Sequence, residues 1–269
     1  MPRFSINAVG VLFSGSGAPL PPALGGSGTA LWTDNFSSYS GWSTGATPMT
    51  AVYAYEAGEN VITLDPTGGP SGSQCMTIPW ASNYGGACTD VDHLIEKGYA
   101  STKELYFRYD IKYSAGFKFD WSGTGGCSGN AKKLFLIPGS GPPNGTRGTF
   151  VCQNGHWQMY PDQNNLGVIG ETHDGVVLGN QNVGTEILPS ALGNGSWHTI
   201  VGHFKAESSA GAGDGTVEGW IDNVQKWSFV GIGMNNSTGW DDFQTPTVLN
   251  QGSPQTQQEW MANLYLWKP

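Results

Sequence analysis

The sequence predicts an all-β fold, a sandwich or barrel of many short strands. Three observations predict it. Charged residues make up only 12% of the 269 residues, too few for the Lys- and Glu-rich surfaces of long helices. Gly reaches 41 residues, about twice ordinary usage. Segments that alternate at period two recur along the chain, with Gly- and Ser-rich turns between them. The length suits one sandwich domain, and a core of that size folds without crosslinks. Aromatic content of 12%, with eleven Trp, excludes a disordered chain.

Residues 1–30 read as an N-terminal arm. Phe4, Ile6, Val9, Val11, Leu12 and Phe13 form a short sticky segment suited to pairing with another chain, and residues 14–30 are a Gly/Ser/Pro linker without periodicity. The apolar stretch is short and broken by Ser5 and Asn7, which makes a poor cleaved signal peptide. The globular domain is expected over 31–269. HLIEKGY, residues 93–99, offers the one weak helical turn. Leu105 to Tyr113 alternates, with Leu105, Phe107, Tyr109, Ile111 and Tyr113 on one face and Tyr106, Arg108, Asp110 and Lys112 on the other. Leu134 to Ile137 is continuously apolar and reads as a strand buried on both faces. WHTIVGHFK (197–205) and VEGWID (217–222) form a hairpin across a Gly-rich turn, and WMANLYLW (260–267) is a closing strand.

The net charge of −9 and only 12 Lys and Arg argue against nucleic-acid binding and against anionic membranes. No apolar run reaches the length of a membrane span. The four cysteines match no zinc or redox spacing. Local pairings would be Cys75 with Cys88 and Cys127 with Cys152; free thiols are the equal alternative.

The order of the pieces resembles the concanavalin-like, laminin-G-type jelly roll, and in part the jelly-roll alginate and glucuronan lyases. LWTDNFSSYSGW resembles the opening strand, and LYFRYDIKYSAGFKFDW followed by KKLFLIPG resembles the lyase pattern of a Tyr-rich strand and a Lys-bearing strand. NGHWQMY resembles the next strand, and WHTIVGHFK with GDGTVEGWIDNVQKW resembles the Trp-strand-turn-strand signature. NLYLW resembles the closing strand. The resemblance implies an all-β, two-sheet antiparallel jelly-roll sandwich with an extended N-terminal arm. It retains the lyase cation at Lys133. It lacks the lyase Arg pair, whose region holds Gly148 to Cys152, and Ala131-Lys132 replaces a pair of Gly.

Three functions fit. The first is a structural module on a virion surface or similar extracellular assembly, a decoration or fibre-like protein docking other subunits through its arm, a role compatible with glycan binding. The second is a carbohydrate-binding module. The third is a polysaccharide lyase cleaving uronate polymers by β-elimination. For glycan binding the residues are Arg108, Lys112, His203, Glu218 and Trp220. Cations would hold a uronate carboxylate and Trp220 would stack on a sugar ring. If the chain is a lyase, His203, Lys133 and Arg108 are the catalytic candidates, with His203 as base. An ordinary solvated sheet face with cross-strand ion pairs is the competing reading. No metal or cofactor is expected. Asp214 and Asp222 are the only suggestion of calcium, and no Asp-rich loop supports them. Asp241 and Asp242 read as loop carboxylates.

Overall fold

The computed structural model describes residues 28–37, 51–55, 63–82, 91–122, 128–137, 148–153, 156–160, 190–233, 237–249 and 252–269. In chain order the strands are β1 (Thr29–Asp34), β2 (Ala51–Tyr55), β3 (Thr63–Asp65), β4 (Cys75–Trp80), β5 (Val91–Thr102), β6 (Glu104–Tyr113), β7 (Asp120–Ser122) and β8 (Ser128–Ile137). They continue as β9 (Gly148–Gln153), β10 (His156–Tyr160), β11 (Trp197–Lys205), β12 (Gly215–Ile221), β13 (Val224–Ile232), β14 (Trp240–Leu249) and β15 (Gln257–Lys268). Two 3-10 turns, Pro70–Gly72 and Ser190–Asn194, are the only helical segments among the described residues. The arm segment from Phe4 to Phe13 lies outside them.

The strands form two antiparallel sheets. One runs β13-β12-β11-β6-β15-β4-β3, with β1 also paired to β15; the other runs β10-β9-β8-β14-β5-β2, with β7 paired to β8. They pack face to face. Phe107 of the first sheet meets Phe243 of the second at 5.9 Å, and Phe204 meets Trp240 edge-on at 5.7 Å. The predicted inward set of β6, Leu105 to Tyr113 in steps of two, is buried in this core. Period two therefore carried both the strand and its facing, as a half-buried strand should.

Two local features depart from simple alternation. Residues 93–99 are not a helical turn: they lie within β5, held between β14 and β2. Pairing on both edges outweighs a weak helical pattern. In β15 the register against β6 shifts between Ala262 and Tyr265, and Asn263 has φ +50°. The extra residue of this bulge reverses facing along the strand. Met261 points inward before it, and Leu264 and Leu266 point inward after it. Tyr265 and Trp267 thereby join the opposite face, in register with Arg108 and Tyr106.

Candidate functional site

The outer face of the eight-stranded sheet gathers most of the residues singled out in the sequence. β12, β11 and β6 are consecutive neighbours. Their register aligns Glu218, His203 and Tyr106 in one row across the sheet, and Trp220, Val201 and Arg108 in the next. Thr199 and Asp110 follow, then Trp197 and Lys112. β15 adds Trp260 opposite Lys112 and Trp267 opposite Tyr106. Arg108, Lys112, His203, Glu218 and Trp220 thus share one face.

At one end of this face, His203 is enclosed. Its Nδ1 lies 2.9 Å from Glu218 Oε2, and its Nε2 lies 2.8 Å from Glu104 Oε1. Its ring stacks on Tyr106 at 4.2 Å, and Tyr106 stacks in turn on Trp267 at 5.8 Å. Ser228 Oγ and Gln225 Nε2 of β13 donate to the other oxygen of Glu218. Burial, followed by the charges of Glu104 and Glu218, pushes the Tyr106 phenol up to about 12. His203 is a poor candidate for the base of an elimination, because both ring nitrogens already face carboxylates.

In the middle, Asp110 is buried and fully engaged. It accepts from Thr199 Oγ1 at 2.6 Å and from Asn263 Nδ2 at 2.6 Å, and pairs with Arg108 at 3.5 Å. Three strands are tied at this carboxylate, and the Asn263 bulge is one of the ties. Arg108 lies 5.8 Å from the centre of the Tyr265 ring, and its Nε has no hydrogen-bond partner among the described residues.

The far end has a different character. The ammonium of Lys112 sits 4.1 Å from the Trp260 ring centre and 5.2 Å from that of Trp197. Both indoles are partly exposed. Trp197 is oriented by its Nε1–H, which donates to the Gly68 carbonyl at 3.2 Å. This indole-ammonium-indole row did not figure among the sequence candidates. Trp197 could have been found, since it shares strand parity with His203. Trp260 could not be placed, because the bulge hides which face of β15 is which.

Several sequence candidates take other places. Trp220 lies on the polar face as its parity with Glu218 required, but it is 8% exposed and offers no open platform. Val217 and Ile221 point into the core on the same strand. Lys133 belongs to β8 in the other sheet, at a register shift between Lys132 and Leu134 against β9. A catalytic set of His203, Arg108 and Lys133 is therefore not assembled on one face. Cys75 is a free buried thiol rather than half of a pair with Cys88. Cys88 and Cys127 fall outside the described residues. Asp214 and Asp222 flank opposite ends of β12 and cannot share a cation. Hydrogen bonding from the Ser208 side chain, followed by that from the Ser208 N–H at 2.9 Å, holds the Asp214 carboxyl below the usual range. Asp222 accepts from Thr199 N–H and contacts His198 at 2.8 Å. Among the described residues no cluster of three His, Cys, Asp or Glu is placed to hold a metal. Asp241 and Asp242 lie in β14 rather than a loop, and burial raises the Asp241 carboxyl.

The sequence matches no family model and no curated protein. Solved structures resemble it over nearly their whole length. The endo-β-1,4-glucuronan lyase of the fungus Trichoderma reesei is similar with a TM-score of 0.58 at 12% identity, covering 90% of this chain and 96% of that one. The alginate lyase Aly36B is similar with a TM-score of 0.56 at 14% identity, covering 88% of this chain and 96% of that one. At such identities the likeness speaks for architecture. The chain is an all-β concanavalin-like jelly-roll sandwich, in the form also found in these two lyases.

Proposed function

We propose that the protein binds an acidic polysaccharide along the outer face of its eight-stranded sheet. The observation that carries this reading is the Trp197-Lys112-Trp260 row. Partly exposed indoles suit the apolar faces of sugar rings, and an ammonium between them suits a carboxylate substituent. Arg108 extends positive charge along the same face toward Tyr265. Support also comes from the architecture, because the two similar solved structures are a glucuronan lyase and an alginate lyase. The reading is one of binding without cleavage: His203 has both nitrogens engaged, and Lys133 lies in the other sheet.

Affinity electrophoresis and titration calorimetry with alginate, glucuronan and neutral cellulose oligosaccharides test it. Binding is expected for the acidic polymers, and Lys112→Ala or Trp260→Ala should each weaken it about tenfold, equivalent to about 1.4 kcal/mol. Equal binding by both variants, or no binding to any polymer, would overturn the reading.

A second reading, uronate lyase chemistry centred on the seven-stranded sheet, is favoured by the near-complete overlap with the two lyases and by Lys133 in β8. It predicts unsaturated products absorbing in the ultraviolet, lost in Lys133→Ala. The assembly role of the arm rests on residues 1–30, of which only 28–30 are described. Deleting residues 1–27 and following assembly state tests it separately.

A further inference from the structure

We propose that Asn194 is a self-modifying residue, a site where the chain turns a side-chain amide into a carboxylate by cyclising onto its own backbone. Asn194 ends the 3-10 turn Ser190–Asn194, and Asn194, Gly195 and Ser196 are all exposed just before Trp197 opens β11. Gly195 has φ +84°, a left-handed conformation that favours glycine, so no side chain shields its amide nitrogen. Asn194 Oδ1 accepts a hydrogen bond from the Ser196 N–H at 2.7 Å. The ring closed by that bond contains both reacting atoms, the Gly195 nitrogen and Asn194 Cγ, and limits how far apart they can swing. The same bond polarises the side-chain carbonyl and is in place to hold the negative charge that develops on Oδ1. His198 Nε2 lies 3.2 Å from this oxygen, and Asp222 fixes the other side of the imidazole at 2.8 Å. With Oδ1 oriented by both neighbours, Nδ2, the leaving nitrogen, faces away from them.

The chemistry balances with water as its one co-reactant. The Gly195 nitrogen gives up its proton and bonds to Asn194 Cγ. The Cγ–Nδ2 bond breaks, and ammonia leaves with that proton, which closes a succinimide. Water then opens the ring. Attack at Cγ restores a normal backbone with an aspartyl side chain; attack at the main-chain carbonyl routes the backbone through the side chain and gives isoaspartate. Either product adds a negative charge where His198 already meets Asp222. Isoaspartate also lengthens a turn tied to the rest of the fold by the Gly116 N–H, which donates to the Gly193 carbonyl at 2.9 Å. Trp197 follows at once and belongs to the row proposed above to hold an acidic polysaccharide. On that reading, on which this consequence rests, modified chains bind such polymers less tightly.

The test incubates the whole chain in mildly alkaline buffer, folded and in guanidinium, and follows Asn194 deamidation by peptide mass spectrometry, with isoaspartate resolved chromatographically. The Asn144-Gly145 and Asn154-Gly155 bonds are internal comparators in guanidinium, where local sequence alone sets the rate. The folded chain should deamidate at Asn194 at least as fast as the unfolded chain, and Asn194→Gln should abolish modification at this position. A slower rate in the folded chain than in guanidinium would overturn the proposal. Asn194→Asp, which carries the product charge from the outset, should bind alginate about twofold to fivefold more weakly than wild type, the scale of one exposed charge contact. Equal binding by wild type and this variant would remove the functional consequence. A wild type that binds no polymer would instead sink the carbohydrate reading, and the deamidation rates would still decide the modification site.

Discussion

Gly202 is where the packing of the two sheets can be tested most sharply. It pairs with Phe107 across β11 and β6, and the Phe107 ring occupies the space that a β-carbon at this position would need. A methyl group added there would stand 2.1 Å from Phe107 Cζ and 2.2 Å from Cε1. Ordinary carbon contacts begin near ~3.5 Å, so the ring would have to retreat by more than ~1 Å. Its retreat is blocked by Phe204 at 5.8 Å, Phe243 at 5.9 Å and Tyr109 at 5.9 Å, centre to centre. Gly202→Ala should therefore cost about 3 kcal/mol, the upper end of the usual range for overpacking. For a domain of this size that lowers the melting temperature by roughly 6–12 °C. Urea unfolding followed by Trp fluorescence, with calorimetry for the melting temperature, measures it. Shrinking the ring in a Gly202→Ala, Phe107→Leu double variant should recover at least about 1 kcal/mol as a coupling term. A single-variant loss below about 0.5 kcal/mol would mean that the ring does not cover Gly202 and that the β6–β11 register is wrong.

Other consequences are as specific. Trp220→Ala should cost about 3 kcal/mol by truncating a buried aromatic, while leaving polysaccharide affinity within twofold; a large affinity change at unaltered stability would place Trp220 in an open site. Asp110→Ala strips Thr199, Asn263 and Arg108 of a shared acceptor and should cost about 2–3 kcal/mol in urea unfolding, whereas an unchanged midpoint would show that the bulge is held by packing alone. Burial, with the Asp65 charge second, pushes the Cys75 thiol from 9.0 up to about 11. A raised folded value means that its stabilising contribution is present below pH 9 and is lost as pH rises through about 11. Alkylation of Cys75 at pH 8 should thus be negligible in the native protein and rapid in urea, and fast native labelling would contradict its burial.

Much of the fold was legible because β-strands announce themselves by alternation. β6 shows both its span and its buried set in the letters LYFRYDIKY, and WHTIVGHFK coincides with β11. The juxtaposition of Arg108, His203 and Glu218 required one further assumption, that their strands are neighbours, and the sheet order grants it. Three things were hidden. The strand at 93–99 has no clear period and is decided by partners distant in sequence. The facing of Tyr265 and Trp267 depends on one left-handed residue, Asn263, which no periodic pattern reveals. The enclosure of His203 depends on Glu104, which lies one residue before the alternating stretch Leu105 to Tyr113 and is brought opposite Lys205 only by the β6–β11 register.

The position of β15 bears on how the protein is made. This strand sits inside its sheet, with β6 along one edge and β4 and β1 sharing the other. Thr29 and Lys268, almost the full described length apart, are direct partners. A ribosome delivers β1, β4 and β6 long before β15, so these strands must wait with their edges unfilled. Contacts of such wide sequence separation fold slowly, and open strand edges invite pairing with other nascent chains. The acquisition of structure should therefore be a late event, completed after residue 268 clears the exit tunnel. Chains stalled before residue 257 should be sensitive to protease and prone to aggregate, even though most of the core residues have by then been synthesised.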